Sequence, residues 1–275
     1  MTAFQNGAYE TLLCDLPRPG VARIMLNRPS KMNAYTFVMT EELQRAIAAF
    51  RDQDELMVLL LTGAGGRAFC TGGDISGANP EHSARVRTQP MGHGREMRDG
   101  MQAVVALLRR IDKPSLAMIQ GYAVAGGLAL ALACDFRFAS PTAKLGDTSN
   151  KAGLLPDEGG AWLFPRAMGL DRALKMSLLS EIYDAPVAQS LGLVTEIVPD
   201  SLLEARCLDF CETLAGKAPL AMRLTKMMMT RAADLSLEDS LTDAQMAVMI
   251  TNPSADAREG VRAFQEKRPP RFEGR

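Results

Sequence analysis

The chain is 275 residues long, 47% apolar and 23% charged, and its 31 Lys and Arg nearly balance 32 Asp and Glu, for a formal net charge of −1. That length allows a large core, in one domain or in a domain with an appendage. The charge balance gives no electrostatic reason to expect a nucleic-acid partner. Only two histidines are present, which excludes a His-rich metal site, and the five cysteines (Cys14, Cys70, Cys134, Cys207, Cys211) show no paired ligand spacing. Cys207 and Cys211 are one helical turn apart, but no nearby Cys or His completes a set, so no metal is expected. Reduced thiols without a disulfide framework fit a cytoplasmic protein. The N-terminal segment lacks a signal peptide's basic and apolar regions. The longest apolar run, Leu128–Cys134, is too short to span a bilayer, so no membrane partner is expected.

Tyr9–Asp15 and Val21–Asn27 read as short strands joined by Pro17-Arg18-Pro19-Gly20, a good hairpin connection. A helix follows the loop through Lys31 and Asn33-Ala34. Its apolar stripe is Met39, Leu43, Ile47 and Phe50, with Glu41, Glu42 and Arg45 expected to face outward. Leu56–Leu61 is a continuous aliphatic run, as in a strand buried on both faces. Ala68–Ile75 carries glycines where a tight backbone path is needed. The polar segment from Ser76 to about Gly94 reads as a loop or lid, with His82 and His93 solvated.

Val104, Leu107, Leu108 and Ile111 form a second helical stripe, broken by Lys113-Pro114, and Ser115–Gln120 reads as another buried strand. Alternating strands and helices argue for an α/β layer structure with parallel strands. Asp171–Leu179 reads as a helix and Leu191–Val198 as a short strand. Four helical segments follow, over Leu202–Lys217, Leu220–Ala233, Leu237–Ile250 and Ala257–Lys267. The division expected is a core over 1–200 bearing the site and a helical region over 201–275 that packs on its own domain or on a partner subunit.

Three motifs carry chemistry. Gly121–Gly127 feeds an apolar helix; its N–H groups either hold an anion or polarise a carbonyl, or the glycines merely permit close packing. Gly72-Gly73-Asp74 can supply a second donor or form a plain tight turn in which Asp74 bonds its own loop. Asp157-Glu158, between Pro156 and Gly159-Gly160, can cap the helix that follows or do acid–base work beside Leu154, Leu155 and Trp162. No P-loop, G-x-G-x-x-G or nucleophile elbow is present.

In order and spacing these pieces resemble the crotonase, or enoyl-CoA hydratase/isomerase, superfamily over nearly the whole chain. The marks are Asn27-Arg28-Pro29, Asn33-Ala34, Phe69–Ile75, Lys113-Pro114, Gly121-Tyr122-Ala123, Gly126-Gly127, Cys134-Asp135, Glu259-Gly260, Ala263-Phe264 and Lys267-Arg268. The resemblance implies a spiral of ββα units, a C-terminal helical region that builds a trimer or dimer of trimers, and an acyl-CoA thioester as substrate with no separate cofactor. It implies an oxyanion hole from the N–H groups of Gly73 and Gly126. It places CoA along Lys31–Ala34 and along Phe69, Thr71, Gly72, Gly73, Asp74 and Ile75, with Phe264 and Lys267 reaching a neighbouring subunit's CoA.

Where typical hydratases of the superfamily carry two glutamates, this chain has Ala129 and Ser149. Neither can act as a carboxylate base, which argues against two-glutamate hydration. The Leu154–Trp162 run is similar to that of phenylacetate-pathway ring-epoxide isomerases, and Asp157 stands where some isomerases place their single carboxylate. The resemblance therefore implies an acyl-CoA isomerase that shifts a double bond or rearranges a ring, with Asp157 as proton shuttle and Glu158 as the alternative base. An atypical hydratase or hydrolase, and a catalytically silent CoA-binding homologue, are the competing readings.

Overall fold

The structure is a computed structural model that describes residues 4, 8–76, 88 and 91–275. Most of the expected Ser76–Gly94 loop, including His82, lies outside these. The hairpin forms as expected: β1 (Leu12–Arg18) and β2 (Val21–Leu26) pair antiparallel from Leu12↔Leu26 to Asp15↔Arg23, with Gly20 at φ +71 in the turn. A six-stranded sheet grows from it in the order β1-β2-β3-β5-β7-β10, where β3 is Val58–Gly63, β5 Ser115–Ile119, β7 Phe136–Ala139 and β10 Glu196–Ile197. Every pairing after the hairpin is parallel. The segment expected to be a strand over Leu191–Val198 contributes only the two residues of β10, after a short helix, α7 (Ala185–Ser190).

A second sheet has the order β4-β6-β8-β9, built from Ala68–Cys70, Tyr122–Val124, Lys144–Gly146 and Ile182–Asp184. The chain therefore alternates between sheets, β3 to β4, β5 to β6 and β7 to β8, and then crosses back through helices. These are α2 (Gly92–Asp99) with α3 (Met101–Arg110), then α4 (Gly126–Ala133), then α5 (Gly160–Met168) with α6 (Leu170–Leu179). This is the expected spiral of ββα units. It brings the C-terminal ends of β4, β6 and β8 side by side, and the site lies there.

Helix α1 (Phe37–Arg51) starts at Thr36, whose Oγ1 accepts from Met39 N at 3.3 Å, and buries Met39, Leu43, Ile47 and Phe50 completely. Glu42 departs from the expected outward position and is 4% exposed. Its carboxylate accepts from Glu10 N, Thr11 N and Thr11 Oγ1 at 2.6, 2.8 and 2.5 Å. A buried charge with three donors is satisfied, so the helical stripe widens to hold the chain entering β1. Lys113 is likewise fully buried, with Nζ donating to the carbonyls of Gln53 at 2.7 Å and Phe50 at 3.2 Å.

The C-terminal helices are α8 (Asp200–Ala215), α9 (Pro219–Ala232), α10 (Leu237–Thr251) and α11 (Ala255–Glu266). Leu203, Cys207, Leu208 and Cys211 of α8 pack with Val58, Leu60, Leu116 and Phe138 of the large sheet. Burial pushes the Cys211 thiol up to about 12, so it behaves as a small apolar side chain. Helix α9 is tied down by Lys226, whose Nζ donates to Lys113 O and Asp135 Oδ2, each at 2.7 Å. Among the described residues no helix is long and apolar enough to cross a membrane.

Candidate active site at two glycine turns

The turns after β4 and β6 touch. Gly72 has φ +89, and a Cβ there would lie 3.1 Å from Ala125 Cβ and 3.4 Å from Gly126 N. Tyr35 and Gly73 form an isolated parallel bridge, with Tyr35 N donating to Gly72 O and Asp74 N donating to Tyr35 O, both at 2.9 Å. A parallel bridge uses the groups flanking Gly73 and turns its own N–H away from Tyr35. On the other turn, Ala125 has φ +51 and ψ −128 and is held by its N–H to Gly146 O at 3.0 Å. A non-glycine residue there stores on the order of 1–3 kcal/mol of strain, which is characteristic of functional turns. Gly126 then opens α4, and its N–H is one of the first four in the helix, which lack intrahelical partners and form the positive end of the dipole.

The two neighbouring glycines face different surroundings. A Cβ on Gly127 would come within 2.0 Å of Cys70 O, so that glycine lets α4 approach the end of β4. A Cβ on Gly126 would instead lie 2.4 Å from Glu158 Oε1 and 2.7 Å from the Tyr35 hydroxyl.

Glu158 is 6% exposed. The Tyr35 hydroxyl donates to its Oε1 at 2.6 Å, while Oε2 is buried with no partner. Burial pushes the Glu158 carboxyl above its ordinary range; the Tyr35 bond opposes this, and the charges of Asp157 and Asp147 add to it. Burial, then the Glu158 charge, raises Tyr35 as well, so it serves as a donor only.

The adjacent Asp157 is exposed, and its backbone carbonyl accepts from Gln102 Nε2 at 2.7 Å. The turn thus directs one carboxylate toward the glycines and the other toward solvent. Neither caps α5, whose N-cap is Gly159 without a side-chain bond. Ala129 is fully buried, and Ser149, 6% exposed, donates to Asp147 Oδ1.

The expected CoA-binding residues fall into three groups. The first borders the glycine turns. Lys31 is exposed at the end of a short 3-10 turn, and Ala34, whose carbonyl accepts from Arg28, joins it to the Gly72–Ile75 segment. Arg28 Nη2 also donates to Asp74 Oδ2 at 2.8 Å, so one guanidinium ties both loops together. Bonds from Ser76 and then Arg28 hold the Asp74 carboxyl down to about 2, which makes it an anchor of its own loop. Thr71 Oγ1 donates to Met32 O at 3.3 Å, and Ile75 is exposed beside the turn. Phe69 forms the second group: its ring is fully buried in the core. Phe264, 85% exposed on α11, and Lys267, which ends that helix at φ +55, form the third and lie on the C-terminal layer.

Two residues of the site carried no sequence signal strong enough to be singled out. Tyr35 follows a motif alanine and looks like an ordinary aromatic before a helix. Arg28 was visible only as part of Asn-Arg-Pro. Among the described residues no cluster of His, Cys, Asp and Glu could hold a metal ion.

The sequence profile of the enoyl-CoA hydratase/isomerase family matches residues 18–275. A curated relative, (E)-benzylidenesuccinyl-CoA hydratase of Thauera aromatica, is 35% identical over 254 residues, 92% of this chain and 96% of its own. Mitochondrial enoyl-CoA hydratase domain-containing protein 2 of Mus musculus is 32% identical over 263 residues, 94% of this chain and 86% of its own. The crystal structure of an enoyl-CoA hydratase from Bacillus anthracis superposes with a TM-score of 0.89 at 30% identity, covering 97% of this chain and 100% of that one. The chain belongs to the enoyl-CoA hydratase/isomerase family and has its crotonase fold.

Proposed function

We propose that the chain is an acyl-CoA isomerase that forms a thioester enolate at the Gly73 and Gly126 N–H groups and moves one proton with Glu158. The observation that carries this reading is the buried carboxyl group of Glu158, which lies beside Gly126 and keeps its Oε2 without a partner. Two fixed N–H donors meet charge that develops on the thioester oxygen only along the reaction, and losing one such donor costs about 3 kcal/mol. The carboxylate takes a proton from one carbon and returns it to another. Because it needs no activated water, this chemistry is compatible with Ala129 and Ser149. Burial raises the proton affinity of Glu158 above that of an ordinary carboxylate, in the direction that helps one group take up a proton and then return it.

Asp157, the base expected from sequence, contributes charge from the solvent side in this proposal. CoA lies along Lys31–Ala34 and Gly72–Ile75, and Phe264 and Lys267 reach the CoA of a neighbouring copy. Hydration is the second reading, favoured by the names of the two curated relatives. A silent CoA-binding role is disfavoured, because strain at Ala125 and an orphaned buried carboxyl oxygen are costly to keep without use. Incubation with a 3-enoyl-CoA should yield the 2-enoyl-CoA, with little water added to a 2-enoyl-CoA. Rapid hydration of the 2-enoyl-CoA without isomerisation would favour the second reading, and neither reaction with intact CoA binding would favour the silent one.

A further inference from the structure

Ser149 stands where hydratases of this family carry a glutamate, and its role here is to hold a different carboxylate. Its N–H and Oγ donate to Asp147 Oδ1 at 3.0 and 2.6 Å. Asp147 is completely buried, and its Oδ2, like Glu158 Oε2, has no partner. Its position in the fold is fixed by the small sheet. Strand β8 pairs in parallel with β6 up to Val124↔Gly146, and Ala125 N donates to Gly146 O. Asp147 therefore leaves β8 alongside Ala125, one residue before Gly126. Two buried carboxyl groups, each with one orphaned oxygen, flank the same turn.

The other ionisable groups around Glu158 differ from Asp147 in protonation or in exposure. Tyr35 stays protonated, and burial pushes Cys70, at the end of β4, up to about 12. Asp157 is exposed, so solvent screens it. Asp157 and then Asp147 raise Glu158, and of these two carboxylates Asp147 is the buried one.

We infer that Asp147, pinned by Ser149 at the end of β8, is a positioning residue that acts through Glu158, keeping on that carboxyl the proton it must carry. Like charges confined to one low-dielectric site cannot both be freely ionised, so the fixed member sets the proton affinity of the other. The inference rests on Glu158 being the proton carrier.

The test is the acid limb of kcat/KM against pH. Asp147→Asn should move that limb to lower pH by about one unit, since removing a neighbouring like charge lets Glu158 ionise earlier. Asp147→Glu should keep it near the wild-type position. Should Asp147→Asn not fold, the limb is read in Ser149→Ala, which keeps the charge but frees it to turn away, and the shift should be in the same direction and smaller. A limb that stays in place while activity falls uniformly, in Asp147→Asn or in Ser149→Ala, overturns the inference and leaves Asp147 a structural group. Glu158→Gln, measured in parallel, separates the two proposals: retained turnover there refutes the Glu158 reading itself.

Discussion

Adjacent carboxylates at 157 and 158 differ by one residue in sequence and almost completely in environment, and the chemistry assigned to the site follows from that difference. Tyr35 supports the charged form of Glu158 through its 2.6 Å bond. Tyr35→Phe should therefore raise the proton affinity of Glu158 and shift the acid limb of kcat/KM to higher pH, opposite to the shift expected for Asp147→Asn. The same environment has a stability consequence. Glu158 binds its proton more tightly folded than unfolded, so its contribution is fully present below the unfolded carboxylate range. It is lost as pH rises through the raised folded value. Glu158→Gln removes that loss while keeping an acceptor for Tyr35. Its Tm should thus exceed that of the wild type by a margin that grows as pH rises above the unfolded carboxylate range, as followed by thermal denaturation. A margin independent of pH would mean that Glu158 titrates normally.

Among the elements, α4 and the strands before it were the most legible in sequence. Helical apolar stripes and continuous aliphatic runs identified the elements of the core, and the glycine spacing located both turns, because tight approaches leave few residue choices. Gly127 illustrates this: Gly127→Ala would force a Cβ to within 2.0 Å of Cys70 O. The variant should lose stability by about 1–3 kcal/mol or fail to fold, read as a lowered midpoint in urea. The aim of side chains in turns was not legible. A turn's sequence does not say which of two adjacent carboxylates faces inward, since that depends on the packing of α5 against α3 and α4. Glu42 escaped the helical stripe for a related reason: its three donors come from Glu10 and Thr11, some thirty residues away in the chain. Asp147 was invisible because its strand pairing and Ser149 bonds, not any motif, define its role.

For the whole molecule, the C-terminal helices leave Met229, Leu237, Met249, Val261 and Phe264 exposed, each above 60%. An apolar surface of this kind supports the proposed self-association. Sedimentation equilibrium should give a mass of three or six 29.8 kDa chains, and a monomer at micromolar concentration would remove the neighbouring-subunit role of Phe264 and Lys267. The central claim, that one buried carboxylate beside two N–H donors moves a proton on an acyl-CoA, is tested most directly by deuterium incorporation. In heavy water the wild type and Asp157→Asn should exchange the α-protons of a 3-enoyl-CoA at rates within about tenfold of each other. Glu158→Gln, with CoA binding intact, should slow exchange by about 100-fold or more, the usual contribution of a positioned acid–base group. Full exchange in Glu158→Gln together with loss in Asp157→Asn would contradict the account and return the proton to Asp157.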